Sequence, residues 1–180
     1  VHKVTILPTG MALGMTQQLP LEERYSYNKN YLLDQLMVML AGRGAELTVF
    51  ENQSTGASND LERATDIAQS MVKEWGMSDK IGPMAWGSSS SIFLGDEMMS
   101  SKKYADETGK LIDDEASAIL KQSEIRTHKV LIEFRKGLDA IAQSLIEKEE
   151  ISGSEVGQLV DDAMGKECAN SITSIDVDIS

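Results

Sequence analysis

Aromatic residues and cysteine are scarce in this sequence of 180 residues. Aromatic side chains make up only 5% of it, so the core has to be built from Leu, Ile, Val, Ala and Met, as in many helix-rich folds. The single cysteine, Cys168, excludes an internal disulfide and a cysteine-based zinc cluster. This cysteine usage favours a reducing compartment such as the cytosol.

Positive charge and long apolar runs are scarce as well. The sequence has 17 basic against 29 acidic residues, a net charge of −12. Such a surface repels phosphate backbones and anionic lipids, so we expect neither nucleic-acid binding nor docking on a membrane surface. No apolar run approaches the roughly 18 residues of a membrane span, and we expect no signal peptide. Because the sequence begins with Val1 rather than Met, we expect further residues upstream.

The remaining composition, 41% apolar and 26% charged, is typical of a single globular domain. Residues 1–20 are predicted to form a β-ribbon, because Val4 and Ile6 alternate with polar residues before a Pro8–Gly10 turn. A second extended segment follows from Met11. Residues 26–76 are predicted to form two helices. The first is capped by Ser26, runs to about residue 50 and has apolar residues at helical spacing, namely Leu32, Leu33, Leu36, Met37 and Leu40.

Asn59 and Glu62 predict a capping box at the start of the second helix, and Gly76 predicts its end. Its expected buried face consists of Leu61, Ala64, Ala68, Met71, Val72 and Trp75. Residues 77–101 are predicted to be a loop and residues 102–164 a helical bundle, whose last helix begins at Ser152. Residues 165–180 are predicted to be a flexible tail. The expected fold is therefore mainly α, a helical bundle with a small N-terminal β-ribbon.

Few residues offer recognisable chemistry. The two histidines, His2 and His128, have no spacing that would build a zinc site, and we expect both to be structural or exposed. Cys168 has no histidine nearby in the sequence, and no phosphate-binding glycine loop occurs, so nucleotide hydrolysis is not expected. Asp60 lies in the first turn of a predicted helix, where an acidic residue ordinarily complements the helix dipole.

Eleven segments in order resemble the peptidase domain of the FtsH family of membrane-anchored, ATP-dependent zinc proteases. The resemblance fades after about residue 164. The segments are His2-Lys3-Val4-Thr5-Ile6, Ala12-Leu13-Gly14, Gln18-Leu19-Pro20, Ala41-Gly42-Arg43-Gly44-Ala45-Glu46, Ser54-Thr55-Gly56-Ala57-Ser58-Asn59-Asp60-Leu61-Glu62-Arg63-Ala64-Thr65, Met71-Val72, Trp75-Gly76-Met77-Ser78, Gly82-Pro83, Phe93-Leu94-Gly95, Glu107-Thr108 and Leu111-Ile112-Asp113.

The resemblance implies that Asp60 is the third ligand of a catalytic zinc. In the family, the other two ligands come from a His-Glu-x-x-His helix, whose glutamate is the general base. That motif does not occur in this sequence. We therefore expect this chain alone to be metal-free and inactive, with zinc bound only in the full-length parent and ATP only on a separate ATPase domain.

Two further roles follow from the resemblance. Glu46 would support the zinc site without binding the metal ion itself. Family members usually have a second glutamate at the next position, where this sequence has Leu47. The segment Met11, Ala12, Leu13, Gly14 and Met15 would be the edge along which substrates lie as an added strand, or else plain sheet structure.

The resemblance also implies a hexameric parent that degrades unfolded and membrane proteins at the cytoplasmic face of a bacterial inner membrane, or its organelle equivalent. A non-enzymatic oligomerisation or binding module that lost the zinc-binding helix is the alternative. An unrelated acidic helical adaptor is a third, weaker one.

Overall fold

The computed structural model describes residues 1–8, 14–17, 26–86, 104–165 and 168. These residues form five α-helices and three short strands. The helices are α1 Lys29–Phe50, α2 Ser58–Lys73, α3 Asp106–Glu133, α4 Arg135–Lys148 and α5 Gly153–Met164; the strands are β1 Lys3–Thr5, β2 Met15–Gln17 and β3 Glu150–Ser152. The expected mainly α fold with a small β element is confirmed. No helix in these ranges is long and apolar enough to cross a bilayer.

The chain divides into two compact units. The first comprises Val1–Tyr25 and Lys129–Ser180, and the second comprises Ser26–His128.

The first unit contains an antiparallel sheet with the strand order β2-β1-β3. Val4 in the central strand faces Thr16 on one side and Ile151 on the other. The pairing of β1 with β2 agrees with the predicted ribbon. The sequence did not predict β3, because a strand of three residues with a single apolar side chain, Ile151, is too short to show an alternating pattern.

Helices α4 and α5 pack against each other beside β3 in this unit. The contact is close at Gly137, where an added Cβ would lie 3.2 Å from a methyl group of Val160. The hydroxyl of Ser152 accepts a hydrogen bond from the amide of Glu155 at 3.2 Å, which is the predicted cap of the last helix. Gly165, with φ of 66°, ends α5 in the left-handed region.

The second unit has its core among α1, α2 and the first part of α3. Its core cluster of buried apolar side chains consists of Leu32, Leu36, Ala64, Ala68, Met71, Val72, Ile112 and Ala116. The helical spacing of leucines in α1 and of small residues in α2 therefore did identify the core. Two residues of the predicted α2 face are exposed instead, Leu61 by 37% and Trp75 by 47%. Leu61 lies in the first turn beside a groove, and Trp75 lies beyond the last helical residue, where helical spacing no longer applies.

Both predicted N-caps of this unit are wrong. Helix α1 is capped by Asn28, whose side chain accepts a hydrogen bond from the amide of Tyr31 at 2.8 Å, and not by Ser26. A 3₁₀ turn at Thr55–Ala57 precedes α2, and the hydroxyl of Ser54 caps that turn. Asn59 lies inside α2, which has no side-chain cap of its own. The end of α2 agrees with the prediction, since Gly76 adopts φ of 61°.

Residues 77–86 form neither helix nor strand. They are fastened to α3 by Glu115, which accepts hydrogen bonds from the Ser78 hydroxyl at 2.7 Å and from the Lys80 ammonium at 2.6 Å. Trp86 packs edge-on against Tyr104, with the ring centroids 5.9 Å apart. Residues 87–101 of the predicted loop lie outside the described residues, as does the predicted tail apart from Gly165 and Cys168.

Candidate functional site

Asp60 lies in the first turn of α2 and is half-buried. Its position at the amino end of the helix stabilises the negative charge of its carboxylate. Within the described part of the chain, this carboxylate takes part in no hydrogen bond or ion pair. Both of its oxygens therefore keep their lone pairs available for a ligand or a metal ion.

A second carboxylate, that of Glu46 in α1, binds the residues that precede α2. The Ser54 hydroxyl donates to Glu46 Oε1 at 2.6 Å, and the Ser54 amide donates to Oε2 at 2.9 Å. These hydrogen bonds hold the pKa of Glu46 below its ordinary value. Ser54 Oγ in turn accepts a hydrogen bond from the Gly56 amide at 3.2 Å. Glu46 thus anchors the 3₁₀ turn that leads directly into the turn of Asp60.

A groove with a volume of about 280 Å³ lies beside this segment in the second unit. It is lined by Leu40, Arg43, Leu61, Ser117, Leu120, Lys121 and Glu124. Arg43 and Glu124 form an ion pair of 3.6 Å at this groove. Leu61 follows Asp60 in the chain, so the groove begins one residue from the candidate ligand. Its lining combines three leucines with three charged residues and a serine.

The two histidines lie in different parts of the chain. The His2 amide donates to the Gln17 carbonyl at 2.8 Å beside the sheet of the first unit. His128 lies within α3. Across the described ranges, no three His, Cys, Asp or Glu side chains approach one another as metal ligands would.

The predicted substrate edge is described only in part. Met11, Ala12 and Leu13 lie outside the described residues. Met15 begins β2, an outer strand of the sheet, and is 41% exposed. Gly14 passes so close to β1 that an added Cβ would lie 2.8 Å from the Thr5 carbonyl oxygen. A side chain at this position would therefore push β2 away from β1.

Comparison with known proteins identifies the family of this chain. Residues 1–159 match the model of peptidase family M41, and the chain belongs to that family. The chain is 53% identical over 165 residues to an "ATP-dependent zinc metalloprotease FtsH" of Acidimicrobium ferrooxidans, an alignment that covers 92% of this chain and 25% of that protein.

Two further relatives carry similar names. "ATP-dependent zinc metalloprotease FtsH 3" of Petrotoga mobilis is 50% identical, with 89% of this chain and 25% of that protein covered. The FtsH protein of Thermotoga maritima is 41% identical, with 92% and 28% covered. The chain thus spans about a quarter of the length of the curated relatives that it matches, and the predicted family resemblance is confirmed.

The Ser54–Glu46 contact is the part of the site that the sequence did not reveal. The only signal for it is a serine two residues before Gly56, which is a common pattern for a side chain that caps a tight turn. The acceptor, eight residues earlier and on another helix, cannot be inferred from that pattern.

Proposed function

We propose that this chain is part of the peptidase domain of an ATP-dependent zinc metalloendopeptidase, in which Asp60 is the third protein ligand of the zinc ion. The two imidazole ligands and the general base would come from a His-Glu-x-x-His helix that this sequence does not contain. By itself the chain would be inactive, because one carboxylate cannot hold zinc against water.

The observation that carries this proposal is the state of the Asp60 carboxylate. It is half-buried, fixed in a helical turn, and without a hydrogen-bonding partner among the described residues. An oxygen donor of this kind fits a zinc ion, whose catalytic sites combine three protein ligands with one open position. When bound, zinc would supply Lewis-acid activation of water for peptide-bond hydrolysis.

Glu46 would serve this site by positioning. Its two hydrogen bonds to Ser54 fix the 3₁₀ turn, and that turn is continuous with the start of α2. A turn held in this way keeps the backbone that follows it in place before a metal ion binds, which is the ordinary benefit of a preorganised site. The Met11–Met15 segment would align an extended polypeptide substrate along the outer edge of β2.

The whole protein would be a hexamer at the cytoplasmic face of a bacterial inner membrane, or at the equivalent organelle membrane. It would degrade unfolded and membrane proteins that a separate ATPase domain delivers. ATP-dependent zinc proteolysis is supported by the family membership and by the names of the relatives. The hexamer, the membrane location and the substrates are what the resemblance to the FtsH family implies.

The test is Asp60→Asn in a full-length protein that includes this chain. We expect loss of stoichiometric zinc, measured by elemental analysis, and loss of caseinolytic activity, with an unchanged circular dichroism spectrum. The matched control is Asp66→Asn, since Asp66 is an exposed aspartate on the same helix. Retention of zinc in Asp60→Asn protein, or equal losses in both variants, would contradict the ligand role.

A non-enzymatic oligomerisation module is the second candidate. Exposed apolar side chains on α3, such as Ile125 and Ile132, favour a surface that binds protein. The coding sequence upstream of Val1 separates the two proposals. A His-Glu-x-x-His helix there supports the peptidase, whereas a start codon directly before Val1 supports the module.

A further inference from the structure

Gly153, the first residue of α5, lies against the backbone at the start of the chain's first strand. An added Cβ at this position would overlap the carbonyl oxygen of Val1, and it would lie 2.8 Å from the Val1 carbonyl carbon and 3.3 Å from the His2 carbonyl oxygen. All three are backbone atoms, so no change of side-chain rotamer relieves the overlap. These residues all belong to the first unit.

Proximity, and not backbone conformation, is what requires glycine at position 153. Gly165, at the other end of α5, has φ of 66°, a conformation that favours glycine. Gly153 is not among the glycines with positive φ in the described ranges. In the first turn of a helix an alanine would ordinarily be favoured by its higher helix propensity. The backbone of Val1 and His2 therefore excludes a side chain at position 153.

Hydrogen bonds hold His2 from both sides. Its amide donates to the Gln17 carbonyl at 2.8 Å, and its carbonyl accepts from the Gly153 amide at 2.8 Å. The next residue, Lys3, pairs with Gln17 on one side and with Ser152 on the other. The backbone that enters β1 is thus fixed between β2 and the start of α5.

Gly153 cannot move away from Val1 without a loss elsewhere in the unit. Ile151, two residues earlier in β3, is 2% exposed. The hydroxyl of Ser152 caps α5. A displacement of Gly153 would disturb the burial of Ile151 and this cap. Val1 is 64% exposed, so a side chain at position 153 displaces Val1 instead.

We propose that Gly153 is a positioning residue for the zinc site, because it fixes the path by which the preceding segment of the full-length protein enters β1. This inference rests on the proposed function, in which the two imidazole ligands come from a helix upstream of Val1. A functional site has to be held within about 0.5 Å of its productive geometry. A Cβ does not approach a backbone atom within 3.0 Å, so relief of the overlap shifts Val1 by more than this tolerance. The displaced backbone is continuous with the segment that carries the imidazoles.

The first test concerns the contact itself and needs no zinc. In the 180-residue chain, amide hydrogen exchange followed by NMR compares the original protein with Gly153→Ala. We expect the protection factor of the amide at position 153 to fall at least about tenfold, because the His2 carbonyl that accepts its hydrogen bond is displaced. The Ile6 amide, which donates to the Glu149 carbonyl, should change by less than about twofold. Equal protection at position 153 in both proteins would overturn the proposal.

The second test concerns zinc binding by a full-length protein that includes this chain. We expect Gly153→Ala to raise the zinc dissociation constant, measured by competition with a chelator, at least about tenfold. The matched control is Gly165→Ala on the same helix, where an added Cβ meets nothing within 4 Å and the backbone strain is local. It should change the dissociation constant by less than about twofold. Circular dichroism checks that both variants are folded, and equal increases in both would refute the positioning role.

Asp60→Asn, measured in parallel, separates this inference from the proposed function. If Asp60→Asn loses zinc while Gly153→Ala binds it as tightly as the original protein, the positioning role is refuted and the ligand role of Asp60 stands. If Asp60→Asn retains zinc, the proposed function fails and this inference fails with it. The expected result is loss of zinc in Asp60→Asn, weakened binding in Gly153→Ala and unchanged binding in Gly165→Ala.

Discussion

Leu36 is the residue whose removal should most directly weaken the core of the second unit. It lies on α1 and is 0% exposed, among the buried side chains of α2 and α3. Leu36→Ala deletes three carbon atoms, each worth about 0.8 kcal/mol of transfer free energy. The cavity left behind adds to this loss, because the surrounding helices relax only partly. We therefore expect the free energy of unfolding to fall by about 3–5 kcal/mol.

Thermal and urea denaturation, followed by circular dichroism, measure this loss. For a chain of this size, 1 kcal/mol corresponds to roughly 2–4 °C, so the melting temperature should fall by on the order of 10 °C. The matched control is Leu47→Ala, the same substitution on the same helix at a side chain that is 40% exposed. It should cost about 1 kcal/mol or less. Similar losses from both substitutions would refute the assignment of Leu36 to the core.

Two further predictions concern the backbone and the charges of the second unit. Gly76→Ala should destabilise by about 1–2 kcal/mol, because Gly76 has φ of 61° and an added Cβ would lie 3.3 Å from Pro83 Cα. Gly42→Ala in α1, where an added Cβ meets nothing within 4 Å, should instead stabilise by up to about 1 kcal/mol; urea titration that gives both the same sign would contradict this. Hydrogen bonds from Lys80 and Ser78 lower the pKa of Glu115, so its contribution to stability is complete above the ordinary carboxyl pKa and is lost as the pH falls through the lowered value. Glu115→Gln should therefore reduce the loss of stability on acidification, and an unchanged stability-versus-pH curve would argue against the Glu115 contacts.

The sequence predicted those parts of the fold in which apolar residues recur at regular spacing over several helical turns. Leucines at helical spacing in α1 and the alanines at 64 and 68 in α2 mark a continuous buried face, and the structure places those residues in the core. A helix of 22 residues, such as α1, offers several turns over which such a pattern accumulates. Strand β3 offers only three residues, so its pairing with β1 depends on contacts distant in sequence.

Helix caps were predicted less well, because several polar residues near a helix start can serve equally. Ser26 and Asn28 both precede the leucines of α1, and the choice depends on which side chain accepts a hydrogen bond from the amide of Tyr31. At α2, the sequence Ser54 to Asn59 holds several suitable polar side chains. The 3₁₀ turn selects Ser54, since that residue alone can both cap the turn and donate to Glu46.

The candidate site likewise contains two carboxylates, Glu46 and Asp60, that look alike in the sequence. In the structure they differ in their hydrogen bonds. Both oxygens of Glu46 accept hydrogen bonds from Ser54, so binding a metal ion would require Glu46 to give up two charge-assisted hydrogen bonds and release the 3₁₀ turn. The Asp60 carboxylate has no such bonds to lose among the described residues. The cost of recruiting each group to zinc therefore differs, and this difference supports the proposed roles of Asp60 as the ligand and of Glu46 as the residue that fixes the preceding 3₁₀ turn. Acidic residues near helix ends look alike in sequence, and only their hydrogen-bonding partners separate the two roles.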